Sequence, residues 1–194
     1  MSQPSSFISD APSWRKTIGE MVRALIIALA IILPVRFFLV QPFYVRGASM
    51  EPNFHDKEYL VIDEISYRFN PPARGDSIVF RYPVDPSQFF IKRVVGLPGE
   101  AVTVKDNNVF IKNKDGEKKL DESAYLPAGL ATVGNVSYTL AEDEYFILGD
   151  NRMWSKDSRE FGPVKKKFII GRTWLRGWPL YRVGFIEQTP PTLK

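Results

Sequence analysis

The sequence contains no cysteine. That one absence excludes disulfides, zinc–thiolate sites and cysteine nucleophiles, although it leaves the redox compartment open. Histidine is nearly missing too, and His55 is the only one. A two-histidine metal site is therefore impossible, and a Ser-His hydrolase would depend on that single imidazole. Strong charge imbalance is also lacking. Lys and Arg total 26 against 22 for Asp and Glu, a formal charge of +4, which argues weakly against a dedicated nucleic-acid binder. No internal repeat and no low-complexity tract is found. The 194 residues are 44% apolar and 25% charged. This is a globular composition, long enough for one cored domain with a small appendage.

The appendage is legible near the N-terminus. Residues 24–35 are apolar without interruption, and residues 37–40 continue the run after Arg36. As a helix, residues 21–40 would cover about 30 Å, the hydrocarbon thickness of a bilayer. Arg23 and Arg36 lie near its ends, where long side chains reach headgroups, and Pro34 can kink it. A buried core helix would not need so continuous a run. A cleaved leader would need a small-x-small site promptly after it, and Arg36-Phe37-Phe38-Leu39-Val40 stands there instead. The expectation is an uncleaved transmembrane anchor at 21–40. Arg15, Lys16 and Arg23 precede it, so residues 1–20 are expected in the cytoplasm.

Beyond residue 40 the pattern changes to short β-forming runs. They cover 58–65, 76–82, 89–95, 101–104, 109–111, 137–140, 145–148 and 168–174. Turn residues such as Pro98-Gly99, Asp106-Asn107-Asn108 and Asp115-Gly116 separate them. With no long helical pattern, this predicts a mainly β fold, an antiparallel sandwich or barrel-like domain over 41–187. Within it, 113–131 is polar and reads as an exposed insertion. Residues 188–194 are expected to fray.

Three stretches carry candidate chemistry. The first is Gly47-Ala48-Ser49-Met50-Glu51-Pro52. Small neighbours let a substrate chain approach the Ser49 hydroxyl and leave backbone N–H groups free to face an oxyanion. A turn with no further role would look the same. The second holds Lys92 within an apolar run. Strand alternation puts Phe90, Lys92 and Val94 on one face and Ile91, Arg93 and Val95 on the other. An amine desolvated among such neighbours loses its proton more readily and becomes a possible general base. Spacing alone does not separate that from a solvent-facing lysine. The third runs from Gly149 to Gly162, where Asp150, Arg152, Asp157 and Arg159 surround Ser155. It reads either as a braced loop holding a serine against the lysine or as a solvated polar turn.

In this order the stretches are specific. Ser49-Met50-x-Pro52 after an anchor, Arg74-Gly75-Asp76 opening a strand, Lys92-Arg93-Val94-Val95-Gly96-x-Pro98-Gly99, and Gly149-Asp150-Asn151-Arg152-x-x-Ser155-x-Asp157-Ser158-Arg159 resemble the bacterial type I signal peptidases (leader peptidases). The likeness runs from the anchor to about Trp174. It implies the signal-peptidase type of catalytic domain and a Ser/Lys endopeptidase with no metal or cofactor, Ser49 as nucleophile and Lys92 as its base. Ser155 would orient the lysine amine. The Ser49 amide would form part of the oxyanion hole, with Gly47 where many relatives carry a second, serine donor. Arg46 stands where a proline is common. Asp150, Arg152, Asp157 and Arg159 would brace the loop, with Arg93 as ion-pair partner. Phe43, Val45, Phe54 and Ile91 would line shallow pockets for small residues at the −1 and −3 positions of a signal peptide. The implied partners are secretory preproteins and the lipid bilayer, with the secretion translocon a further candidate and no nucleic acid. The implied location is the bacterial cytoplasmic membrane, single-pass, with the catalytic domain on the outer face. Two rivals remain at this point: a LexA-like self-cleaving protein, and a membrane-anchored β binding module without catalysis.

Overall fold

The computed structural model describes residues 14–38 and 41–194. The chain divides into two units, one up to Phe38 and one from Leu39 onward. The first contains helix α1, Trp14–Phe38, of 25 residues. Among the described residues no helix is long and apolar enough to cross a membrane. Residues 1–13, 39 and 40 of the expected cytoplasmic segment and anchor lie outside the described residues.

The second unit is mainly β, as the period of the sequence predicts. Its first sheet contains β1 (Gln41–Tyr44), β2 (Tyr59–Asp63), β3 (Ser77–Arg81) and β4 (Phe89–Gly96). The second contains β5 (Ala101–Lys105), β6 (Asn108–Asn113), β7 (Gly116–Asp121) and β8 (Val136–Thr139). The chain then returns to the first sheet with β9 (Glu144–Leu148), β10 (Val164–Lys165), β11 (Ile169–Trp178) and β12 (Gly184–Phe185), and ends at β13 (Thr192–Leu193) in the second. Strand order is β1-β2-β11-β3-β4-β9-β10 with β12 on β11, and β13-β7-β6-β5-β8. Every paired register is antiparallel.

Alternation explains how three cores share these strands. In β4 and β9, Val95, Phe146 and Leu148 pack with Val102, Val104 and Ile111 of the second sheet. Their neighbours Val94, Tyr145 and Ile147 point the other way, into a core with Ile78 and Phe80. Both faces are covered, so these strands read as continuous apolar runs. A third core of Val45, Met50, Phe54, Leu60, Ile62 and Val79 lies under the turn that carries Ser49.

Two expectations need correction. Residues 113–131 are not simply an exposed loop. They include β7, in which Leu120 is buried and Lys118 half-buried while Glu117 and Lys119 are exposed. That polar face hides the strand from a composition reading. The tail does not fray either. The Ser77 N–H donates to Gln188 Oε1 at 2.8 Å, and Gln188 Nε2 donates to the Thr173 carbonyl at 2.6 Å. The chain then pairs β13 with β7, Leu193 opposite Leu120. Backbone pairing orders this segment despite Pro190-Pro191.

Candidate active site

The turn after β1 is fixed before any chemistry begins. The Val45 N–H donates to the Glu58 carbonyl (2.8 Å), and Lys57 N–H donates back to the Val45 carbonyl (3.0 Å). Met50 and Phe54 flank the end of the turn and are almost wholly buried. They act as apolar plugs that hold the half-buried Ser49 between them and the solvent. From the other side, the Asn151 N–H donates to the Ser49 carbonyl and Asn151 Nδ2 to the Ala48 carbonyl, both at 3.1 Å. Asn151 was not singled out by the sequence; its role depends on a contact between positions 103 residues apart.

Lys92 comes from β4, 43 positions along the chain. Only 3% of its surface is exposed. Its Nζ is 2.6 Å from Ser49 Oγ and 2.8 Å from the Ile91 carbonyl, with the Phe90 ring centroid at 5.6 Å. Burial lowers the amine to about 8; the carboxylates of Asp157 and Asp150 offset part of that effect. An amine that titrates near pH 8 and touches a hydroxyl can, in its deprotonated form, accept the hydroxyl proton.

The charged residues of the third stretch and Arg93 are brought together by the fold. Arg93 grips Asp150 with two donors, Nε to Oδ1 at 2.8 Å and Nη2 to Oδ2 at 2.6 Å. Asp157 accepts from the Gly149 N–H (3.0 Å) and from Arg159 at both oxygens (2.8 Å each). Arg152 donates Nε to the Gly149 carbonyl at 2.9 Å. Each of these charges is buried or nearly so, so the pairs are held by need: an unpartnered charge there would be costly.

Three expected roles are not met as stated. Ser155 Oγ is buried but makes no hydrogen bond among the described residues; the lysine amine is directed to Ser49 and Ile91 instead. The Gly47 N–H is taken by Asp56 Oδ1 at 2.8 Å, so it is not free to face an oxyanion. The Ser49 N–H has no acceptor among the described residues. Phe54 does not line the groove, because it is buried in the core beneath. His55 lies at the surface, 3.7 Å from Glu51.

An open groove of about 610 Å³ runs past Ser49 and Lys92, with Phe43, Val45 and Ile91 in its walls and Arg46 and Lys156 among its polar groups. Leu60, Val79 and Phe89 also line it, and sequence spacing did not reveal them because they come from three different strands. Among the described residues β1 pairs only with β2, and β4 gains its partner β9 only from Arg93 onward. Residues 89–92 and β1 therefore present free backbone edges to an extended peptide.

A hydroxyl, a depressed amine and a groove with open strand edges are the equipment of an acyl-transfer hydrolase acting on peptide. Residues 18–178 match the family described as signal peptidase, peptidase S26. A probable signal peptidase I-2 of Synechocystis sp. is 36% identical over 182 residues, 91% of this chain and 78% of the relative. A signal peptidase I of Leptolyngbya laminosa is 34% identical over 200 residues, 97% of this chain and 92% of the relative. The crystal structure of a signal peptidase I from Enterococcus faecalis aligns with 53% of this chain and 97% of its own, at 31% identity and a TM-score of 0.43. The chain belongs to the signal peptidase family and is a peptidase.

Proposed function

We propose that this chain removes signal peptides from secreted preproteins with Ser49 as nucleophile and Lys92 as its general base. The observation that carries the reading is the 2.6 Å contact between a buried amine and the Ser49 hydroxyl at the groove floor. Ser49 Oγ attacks the scissile carbonyl carbon while Nζ takes its proton. The oxyanion faces the Ser49 amide. Collapse breaks the C–N bond, the ammonium returns the proton to the leaving amine, and the signal peptide stays as an ester on Ser49. Water, deprotonated by the same amine, then hydrolyses that ester. The substrate lies as an added strand between β1 and residues 89–92. Phe43, Val45 and Ile91 close its side-chain pockets, which favours small residues beside the cut. Helix α1 is the single-pass anchor, placing the catalytic domain at the outer face of the cytoplasmic membrane; its support is the apolar run at 24–35 and the charges before it.

The test is preprotein processing by Ser49→Ala in detergent micelles. Loss of processing by a factor of about 10³ or more is expected. Processing at the parental rate would overturn the assignment. The pH profile supplies a second check. Protonated Lys92 cannot act as base, so kcat/KM should rise through about pH 8 and fall about tenfold per pH unit on the acid side.

Gly149→Ala tests the packing behind the pair. A Cβ at Gly149 would lie 2.0 Å from Ser155 Oγ and 2.5 Å from the Ser49 carbonyl oxygen. The second atom is backbone and cannot swing aside. The variant should lose at least about 100-fold in kcat and about 1–3 kcal/mol of stability, read by peptide cleavage and urea denaturation.

A further inference from the structure

The geometry points to Glu122, in the turn after β7, as a positioning residue for the Ser49–Lys92 pair; this rests on the proposed reading of that pair. Glu122 touches neither side chain. It acts on what holds them. Arg152 is 1% exposed, and Glu122 meets its guanidinium with both oxygens, Nη1 to Oε2 at 2.6 Å and Nη2 to Oε1 at 2.5 Å. The third donor of that guanidinium, Nε, grips the Gly149 carbonyl. Gly149 packs where a Cβ would collide with both Ser155 and the Ser49 carbonyl, and two residues on, Asn151 clamps the Ser49 turn. A forked carboxylate fixes the direction of a guanidinium as well as its charge. Glu122 thus sets the height of the loop against the nucleophile.

The same turn reaches the nucleophile by a second route. Tyr125 O–H donates to Glu122 Oε1 at 2.5 Å, its ring lies 4.1 Å from the Arg93 guanidinium, and its carbonyl accepts from Asn53 Nδ2 at 2.8 Å. Asn53 belongs to the Ser49 turn and also donates to Asp150 at 2.8 Å. The position of Glu122 is itself secured by the tail: β13 pairs with the last residues of β7, and Lys194 meets Asp121 at 2.5 Å. Without its carboxylate, buried Arg152 keeps the Thr132 hydroxyl (2.6 Å) and the Gly149 carbonyl as acceptors but loses the fork that fixes its direction, so the guanidinium turns and takes the Gly149 carbonyl with it. Displacements of about 1 Å near reacting atoms reduce rates on the order of 100-fold.

The experiment compares the full chain with Glu122→Gln, Glu117→Ala and Ser49→Ala in detergent micelles, using a peptide that spans a signal-peptide cleavage site. Rates are normalised to the folded fraction from circular dichroism. Glu122→Gln should lower kcat about 10- to 100-fold with KM within twofold. Glu117→Ala, from the exposed part of the preceding strand β7, should match the parent. A merely structural Glu122 would lower the melting temperature and leave kcat per folded molecule unchanged, and that result overturns the inference. So does a change confined to KM. If Glu122→Gln does not fold, Glu122→Asp, which keeps the charge on a shorter arm, is read by the same split. An active Ser49→Ala would instead overturn the nucleophile assignment, so the two failures are distinguishable.

Discussion

Replacing Lys92 with methionine is expected to abolish measurable cleavage and, at neutral pH, to make the protein slightly more stable. The first effect follows from chemistry. Methionine fills about the same volume but offers no site for the Ser49 proton, and a positioned base contributes about 10²–10⁴ in rate. Lys92→Arg should fail as badly, since a guanidinium keeps its proton at any working pH.

The second effect follows from the same desolvation. Lys92 falls from an ordinary 10.5 to about 8 in the fold. A lysine lowered in this way makes folding unfavourable wherever both states carry the proton, below about pH 8. The gap corresponds to about 3 kcal/mol. Methionine removes that penalty. It also removes hydrogen bonds to Ser49 Oγ and the Ile91 carbonyl, together worth about 2 kcal/mol. Net stabilisation of about 1 kcal/mol is therefore expected at pH 7. As pH rises to 10.5 the folded lysine is neutral and the unfolded one half neutral, so the penalty falls to a few tenths of a kcal/mol. The lost hydrogen bonds remain, so the variant should become the less stable protein there. Urea denaturation at pH 7 and pH 10.5 checks the reversal. A variant less stable at both values would show that Lys92 is not held desolvated.

Local chemistry explains what the sequence reveals of this site and what it conceals. Strand alternation separates Val94 from Val95, and the fold sends them to different cores. The Gly-Ala-Ser turn and the apolar strand with Lys92 each lie within about ten residues, so both are visible as candidates, but the burial of the lysine comes only from the fold. Glu122 and Arg152 are 30 positions apart, and no periodicity reports that meeting. β7 is hidden because its solvent face is Glu and Lys, and β13 because prolines precede it. Gly47 shows another limit. Its glycine suits the positive φ of +85°, but only the fold reveals that Asp56 occupies its amide. Ser155 lies in the loop beside Lys92, yet its buried hydroxyl has no hydrogen-bond partner among the described residues, which no local pattern reports.

Asp150→Ala should be the most damaging single change to stability. The carboxylate is fully buried and accepts two bonds from Arg93 and one from Asn53. Removing it leaves the Arg93 guanidinium in the interior with only the Gly75 carbonyl (2.8 Å) and the Tyr125 ring. Breaking a buried pair on one side costs about 3–5 kcal/mol, because the remaining charge is uncompensated. Replacing both partners, Arg93→Met with Asp150→Leu, should recover much of that loss, since burying a matched apolar pair is close to neutral. It should not recover activity, because Asn53 loses its bond to Asp150, the Gly75 carbonyl loses the Arg93 donor, and the loop beside Ser49 loses its register. The pH profile of any residual activity in Asp150→Ala adds a sign. Asp150 helps to raise the Lys92 amine. Without that negative charge, and with Arg93 left positive nearby, the amine should titrate lower. The acid limb of kcat/KM should then move to lower pH even as its height falls. A limb that moved toward alkaline pH would mean that water had entered the site and that loosened packing, not lost charge, dominates.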